Sequence, residues 1–371
     1  MMYEIIATTT FGIESITAKE LKELGYEDLK VENGKVTFEG DEMDVAICNI
    51  HLRTAERIFI KMAEFTATTF EELFQGTLAV SWGDLIPKDG KMHVVGKSIK
   101  STLFSVPDCQ SIVKKAVVES MKEKYNTDWF SEDGPVYKIE VAILKDVVTL
   151  SVDTSGSGLH KRGYRENAGF APLKETLAAA MVLISKYNGD RLLLDPFCGS
   201  GTIPIEAAMI AKNIAPGINR TFESENWPNF SKKIWDQVRE GARRAVNKKE
   251  VEIMASDIDG RVLRVAMDNA KKAGVENYIK FQKLPMQSCS SKKKNGLIIT
   301  NPPYGERLLN EEEVRILYKE FANMYGRLND WSCYVLTSFE DFQRTFGKKA
   351  DKNRKLYNGR LLCYYYQYNI K

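Results

Sequence analysis

An apolar run that stops at two closely spaced glycines constrains this chain more than any other feature. Leu192-Leu-Leu-Asp-Pro-Phe-Cys-Gly-Ser-Gly-Thr202 places a short hydrophobic strand before a glycine-rich turn, and residues 203–211 read as a helix behind it. Gly199 and Gly201 lack the Cβ that would hold a backbone away from a ligand, so such turns suit nucleotide-type cofactors. No Lys-Ser/Thr pair follows the glycines, which excludes a phosphate-binding Walker loop. Taken alone, the turn is also consistent with a purely structural strand-to-helix corner.

Downstream of this turn, strand-like and helix-like stretches alternate. Strands are predicted at residues 191–194, 252–256, 279–283, 297–300 and 333–337, the pattern of a parallel sheet wrapped by helices. Asn358-Gly359, between two strand-like runs near the end, predicts an antiparallel hairpin added to that sheet. Upstream, residues 1–65 read as a small α+β unit with a tight turn at Asn33-Gly34, and residues 66–153 as a second. Ser155-Gly-Ser-Gly158 reads as a flexible boundary. A long gap separates the glycine turn from the next strand, so an insertion rich in Trp, Phe and charge is predicted over about residues 213–243.

Composition removes several function classes. No apolar run approaches the roughly 20 residues that span a bilayer, and the first residues lack a basic stretch ahead of an apolar one, so a secretory signal is not expected and the cytoplasm is the default compartment. Six scattered cysteines without a CxxC pair and three histidines offer neither a disulfide framework nor a metal site, so no metal is expected. The net charge of +3 is too small to mark a nucleic-acid binder by itself. Local clusters carry more weight: Lys161-Arg-Gly-Tyr-Arg165, Lys292-Lys-Lys294 and the stretch from Lys348 to Lys355. The last two read equally well as solvated faces.

Two strand ends carry the candidate chemistry. Asp257, just past the second strand of the parallel sheet, can accept hydrogen bonds from ribose hydroxyls, and Ile258 beside it offers an apolar surface to an adenine ring. Ile298-Ile-Thr-Asn-Pro-Pro-Tyr-Gly305 runs a buried-looking strand into Asn301, Pro302, Pro303 and Tyr304. Prolines have no amide proton, so this backbone presents carbonyl acceptors and few donors. Together with the Asn301 side-chain oxygen it can accept both hydrogens of a planar NH2 group, and Tyr304 can stack on the base that carries it. Such contacts free the nitrogen lone pair to attack an activated methyl carbon, with position and polarity supplied by the protein. Glu306 and Arg307 are candidates to orient the loop, or are an ordinary surface pair. A nicotinamide dehydrogenase is the rival for the glycine turn, but no hydride-transfer constellation accompanies it.

On these residues the chain resembles the THUMP-containing class I RNA methyltransferases, especially the bacterial 23S ribosomal RNA guanine-N2 methyltransferase group. The motifs are Leu159-His-Lys-Arg-Gly-Tyr-Arg165, Ala171-Pro-Leu-Lys-Glu-Thr-Leu-Ala178, Asp195-Pro-Phe-Cys-Gly-Ser-Gly-Thr202, Asn301-Pro-Pro-Tyr-Gly-Glu-Arg307 and Arg354-Lys-Leu-Tyr-Asn-Gly-Arg360. The resemblance implies a ferredoxin-like unit over residues 1–65, a THUMP RNA-binding unit over 66–158 and a Rossmann-like, seven-stranded α/β methyltransferase domain over 159–371. It implies S-adenosylmethionine as cofactor, held by Asp195, Pro196, Phe197, Cys198, Gly199, Gly201, Thr202, Asp257 and Ile258, and structured RNA, 23S rRNA foremost, as partner. Many relatives carry an Asp-Phe pair after the third strand, whose acid contacts the cofactor's adenine amino group. Ser288-Cys289 stands there in this chain, and Ser288 is expected to accept that bond as a weaker, neutral partner.

Lys161, Arg162, Tyr164 and Arg165 join positive charge to an aromatic ring, which suits phosphate contact and base stacking, or else form a linker packed between domains. His160 reads as a structural neighbour. Three functional readings are therefore in play: methylation of guanine N2 in RNA, methylation of adenine N6 in DNA or RNA, and a non-catalytic RNA-binding assembly factor, the last motivated by Ser288.

Overall fold

The computed structural model describes residues 1–165, 173–304 and 310–369. Its first half runs β1 (Tyr3–Thr9), α1 (Glu14–Glu23), β2 (Lys30–Glu32), β3 (Lys35–Gly40), α2 (Glu42–His51), β4 (Ala55–Thr66), α3 (Phe70–Leu78), β5 (Lys91–Ile99), α4 (Val106–Tyr125), β6 (Val136–Leu144) and β7 (Val147–Asp153). The second half runs α5 (Glu175–Ile184), β8 (Leu193–Asp195), α6 (Thr202–Ala211), α7 (Lys232–Arg244), β9 (Ile253–Asp257), α8 (Gly260–Lys272), β10 (Ile279–Lys283), β11 (Leu297–Thr300), α9 (Glu311–Gly326), β12 (Ser332–Thr337), α10 (Phe342–Phe346), β13 (Lys352–Asn358) and β14 (Leu361–Tyr368).

The two α+β units expected upstream share one seven-stranded sheet, in the order β2-β3-β1-β4-β7-β6-β5. The reason is the length of β4. Its 12 residues pair antiparallel with β1 along one edge and with β7 along the other, with a bulge near Lys61 and Ala63 where the register shifts. Ser155-Gly-Ser-Gly158, expected to be a flexible boundary, is instead bonded down. Ser155 is fully buried, accepts from the Ile58 amide (2.9 Å) and donates to Asn49 Oδ1 (2.6 Å). Arg220 donates to the carbonyls of Ser157 (2.6 Å) and Gly158 (2.9 Å). Once buried, the polar groups of Ser155 have to find protein partners, and they find them.

The second sheet has the order β10-β9-β8-β11-β12-β14-β13. Its first five strands are parallel and β14 lies antiparallel to β12, with the β13–β14 hairpin closing the edge at Gly359 (φ +66°). This is the Rossmann-like seven-stranded methyltransferase fold. Parallel strands covered on both faces read as unbroken apolar runs, and Leu297-Ile-Ile-Thr300 is buried at all four positions.

The insertion does not remain with its own sheet. Trp227, Phe230 and Trp235 enter the hydrophobic core of the first half. Trp227 stacks on Tyr137 at 4.6 Å and its indole N–H donates to the Val136 carbonyl (3.0 Å), while α7 lies on α2. Each such ring contributes about 2–3 kcal/mol of burial to holding the halves together. A polar latch adds to this. Glu56 of β4 accepts from Thr176 Oγ1 (2.7 Å) and Lys174 Nζ (3.0 Å) of the second half and lies 3.5 Å from His160 Nδ1. Burial pushes the Glu56 pKa upward, but His160, Thr176 and Lys174 outweigh it and hold the group at about 2.

Candidate active site

The glycine turn leaves β8 at Asp195. Cys198 donates its amide to the Ser256 carbonyl (3.0 Å), and Gly201 donates to the Cys198 carbonyl (2.8 Å), which closes the turn and starts α6 with Thr202 as its first residue. Gly199 (φ +53°) and Gly201 (φ +84°) both occupy the left-handed region. A Cβ added at Gly199 would meet nothing within 4 Å, so open space lies above it; one at Gly201 would sit 3.0 Å from Ala266 of α8. The first glycine therefore leaves room for a ligand, and the second lets two helices approach. Asn269 of α8 donates to the Ser200 carbonyl (3.0 Å) and steadies the turn from behind.

The acid on β9 is tied to this turn. Asp257 Oδ2 accepts from the Gly199 amide (3.0 Å) and Oδ1 from the Asp259 amide (3.0 Å). Its neighbour Ile258 is 71% exposed, an apolar platform with little protein cover. Asp195 lies on β8 between β9 and β11 and is 1% exposed. Its Oδ1 accepts from Thr300 Oγ1 (2.6 Å) and the Phe197 amide (3.2 Å), while Oδ2 is buried without a partner among the described residues. Burial drives its pKa up to about 7, against the hydrogen bonds from Thr300 and Phe197, and the carboxylate of Asp257 pushes the same way.

One strand over, β11 ends at Thr300 and hands on to Asn301, whose Oδ1 is also buried with no partner among the described residues. Pro302 is buried and Pro303 half-buried. The Pro303 carbonyl accepts from Tyr318 of α9 (3.0 Å), and Tyr318 also bonds Thr337 (2.9 Å). The Tyr304 hydroxyl accepts from Asn358 Nδ2 (3.3 Å) in the β13–β14 hairpin. The structure thus brings Asp195, the glycine turn, Asp257, Ile258 and Asn301 to the carboxyl ends of three adjacent strands, where ligands sit in doubly wound sheets. Two buried oxygens without partners there are a costly arrangement unless a ligand supplies the donors. Glu306 and Arg307, together with Ala171 and Pro172 of the resemblance motifs, lie outside the described residues.

Comparison with known proteins shows the family. Residues 162–367, more than half of the chain, match the model of the RMKL-like methyltransferase domain. The chain belongs to this family. Its first half matches the RlmL ferredoxin-like domain over residues 4–59 and the THUMP domain over residues 67–153. YpsC of Bacillus subtilis (strain 168), which carries the name of an RNA methyltransferase, is 49% identical over 99% of this chain and 96% of its own length. The ribosomal RNA large subunit methyltransferase K/L of Vibrio parahaemolyticus is 33% identical over the whole of this chain, which spans 54% of that longer protein. Among solved structures, a protein from Listeria monocytogenes named as a predicted N6-adenine-specific DNA methylase is 50% identical with a TM-score of 0.95, over 99% of this chain and 96% of that one. SMU.472, named for the methyltransferases and complexed with SAH, is 43% identical with a TM-score of 0.96, over 100% and 98% of the two chains.

Within this RMKL-like chain several expected site residues fall elsewhere. Ser288 is exposed and lines a cavity of about 260 Å³ with Met254, Ser256, Gln282 and Leu284, a cavity to which Asp195, Gly199, Asp257 and Asn301 contribute nothing. It sits on the 3₁₀ turn Met286–Ser288, beyond the end of β10. Arg162 (5% exposed) and Tyr164 (3%) are interior residues and not an RNA surface. Arg162 donates to the carbonyls of Leu159 (2.7 Å) and Arg53 and pairs with Glu206 (3.4 Å), which also accepts from the Tyr164 hydroxyl (3.0 Å). Arg165 bonds Thr202 Oγ1 (3.1 Å) at the start of α6 and pairs with Glu175 (2.9 Å). The reason is the continuous packing of the two halves, which converts this segment from a surface into a seam. Lys161 alone of the four is exposed.

Sequence reasoning missed Thr300, Tyr318 and Asn358. Thr300 had a signal, as the single polar residue in an apolar strand. Asn358 was hidden in a dipeptide that a turn already explains, and Tyr318 in the apolar stripe of a helix.

Proposed function

We propose that this protein uses S-adenosylmethionine to methylate an exocyclic amino nitrogen of a base in RNA, and that the base is guanine, at N2, in large-subunit ribosomal RNA. The observation that carries the reading is the pair of buried oxygens without partners, Asp195 Oδ2 and Asn301 Oδ1, on adjacent strand ends beside an open glycine turn. The residues present fit the cofactor. Gly199 leaves room for it, Asp257 suits ribose hydroxyls, Ile258 suits an adenine face, and the free oxygen of Asp195 suits a cationic portion. Bound there, the cofactor supplies an electrophilic methyl group on a sulfonium sulfur.

The chain's own residues prepare the nucleophile. Asn301 Oδ1 accepts one hydrogen of the base amino group and the carbonyl of Pro302, the residue next to it, the other. Drawing both hydrogens toward oxygen leaves the nitrogen lone pair less delocalised into the ring and aimed out of the strand end. Tyr304, steadied by Asn358, offers a face for the base to stack on once it leaves its helix. No strong base is required, because the nitrogen carries an acidic proton once alkylated. RNA as substrate is supported by the THUMP match, and the large-subunit target by the K/L relatives.

The test is methyl transfer from labelled S-adenosylmethionine to large-subunit rRNA, tRNA and duplex DNA, with the modified nucleoside identified by mass spectrometry. N2-methylguanosine in rRNA is the expected product. N6-methyladenosine, in either nucleic acid, would replace the guanine reading with the adenine one, and failure to bind S-adenosylmethionine in calorimetry would leave an RNA-binding assembly factor.

A further inference from the structure

From the β13–β14 hairpin and the loop after β1, we infer that this protein carries a stacking track for the single-stranded RNA segment flanking the target base. The track would run from Tyr304 along the hairpin to Phe11 of the first half. It rests on the RNA reading above and names how the substrate strand is held.

The hairpin touches both the chemistry and the other half of the molecule. Asn358 at its turn donates to the Tyr304 hydroxyl. One residue earlier, Tyr357 is 36% exposed and meets the ring of Phe11 edge-on at 6.4 Å, and Phe11 is 57% exposed. Contact between the segments is too close for any side chain at Gly12, where a Cβ would fall 2.4 Å from the Lys355 carbonyl, and Arg354 donates to the Gly12 carbonyl (3.4 Å). Gly12 also has φ +93°, a left-handed conformation that favours glycine. The Phe11 ring is therefore held in place while facing solvent.

Charge around these rings favours a polyanion. Lys355 lies on the same face of β13 as Tyr357, two residues apart, and is exposed, as is Arg360 beyond the turn. The nearby carboxylate of Glu14 is engaged by the amides of Gly12 (2.9 Å) and Gly34 (3.0 Å). Exposed aromatic rings interleaved with cations bind single strands by stacking bases and neutralising phosphates, with little demand on sequence. An apolar protein partner would gain nothing from Lys355 and Arg360.

Two measurements on the full chain test this. A fluorescein-labelled, mixed-sequence single-stranded oligoribonucleotide should bind the Phe11→Ala/Tyr357→Ala double variant about tenfold more weakly than the parent. Tyr357→Phe should bind like the parent, and Lys355→Ala should reduce the salt slope of binding by about one. Calorimetry with S-adenosylmethionine, unchanged in every variant, shows that the fold and cofactor site are intact. In methyl transfer to unmodified ribosomal RNA, the double variant should raise KM with kcat nearly constant. Equal oligonucleotide affinity in parent and double variant, or no binding by the parent, overturns the track. Track-dependent binding with no methyl transfer by the parent would instead overturn the proposed function and leave the track standing.

Discussion

The seam between the two halves and the end of β11 are both stretches of polar residues carried into the interior, yet they are arranged in opposite ways. At the seam, Arg162 is met by Glu206 and two main-chain carbonyls, Tyr164 donates to the same Glu206, and Arg165 is paired with Glu175, so buried charge faces opposite charge even though Glu206 Oε2 has no hydrogen-bond partner among the described residues. At the strand ends, the charged group acting on Asp195 is another carboxylate, Asp257, and Asn301 Oδ1 faces no donor among the described residues. Internal pairing marks a device that holds the fold together. Unsatisfied acceptors gathered on adjacent strand ends beside an open glycine turn, with no opposite charge to face, mark a place that a ligand completes.

That contrast can be broken at either end. Asn301→Ala should lower methyl transfer by about two to three orders of magnitude, on the scale of removing one oriented polar group from a reacting centre, while calorimetric cofactor affinity stays put. A variant turning over like the parent would end the amino-group mechanism. Arg162→Ala leaves Glu206 buried without its cation and should cost about 3 kcal/mol of stability in the first denaturant-induced transition. Loss of RNA affinity at unchanged stability would return this residue to the RNA surface.

Asp195 sharpens the comparison through pH. Its folded pKa of about 7 lies above the ordinary carboxyl value of 3.8. The folded state therefore keeps a proton that the unfolded chain has released, and stability of the ligand-free protein should fall as pH rises from about 4 to about 7, then level off. Affinity for a cationic cofactor should move the other way, rising up to about tenfold per pH unit below 7 as the carboxylate ionises. Asp195→Asn should flatten both profiles, and a wild-type profile without slope would remove Asp195 from the cofactor site. The smallest effect is expected at Lys161: Lys161→Ala should weaken RNA binding by about twofold and leave stability within about 0.5 kcal/mol.

Much of the second half was legible in the sequence, since a buried parallel sheet writes itself as apolar runs, and residues 279–283 and 297–300 are strands at the predicted bounds. The same holds for the glycine turn and the Asn301 motif, whose chemistry is carried by residues consecutive in the chain. The first half was legible as elements but not as one sheet, because nothing local in β4 states that both its edges will be paired. The insertion was visible as an excess of Trp and Phe, but its destination in the other half's core was not.

What the sequence determined by itself are the features encoded over a few residues: strand and helix periodicity, positive-φ glycines and the proline-flanked asparagine that ends β11. What only the tertiary structure decided is exposure and partnership. Arg162 and Tyr164 have side chains suited to ligands, but burial in a seam gave them other surroundings, while Asn358, unremarked in a turn, was brought against Tyr304. The physical reason is that a side chain's chemistry is local, whereas its desolvation and its neighbours are set by distant chain segments: 54 residues separate Asn358 from Tyr304, and 109 separate Arg162 from the Arg53 carbonyl it bonds.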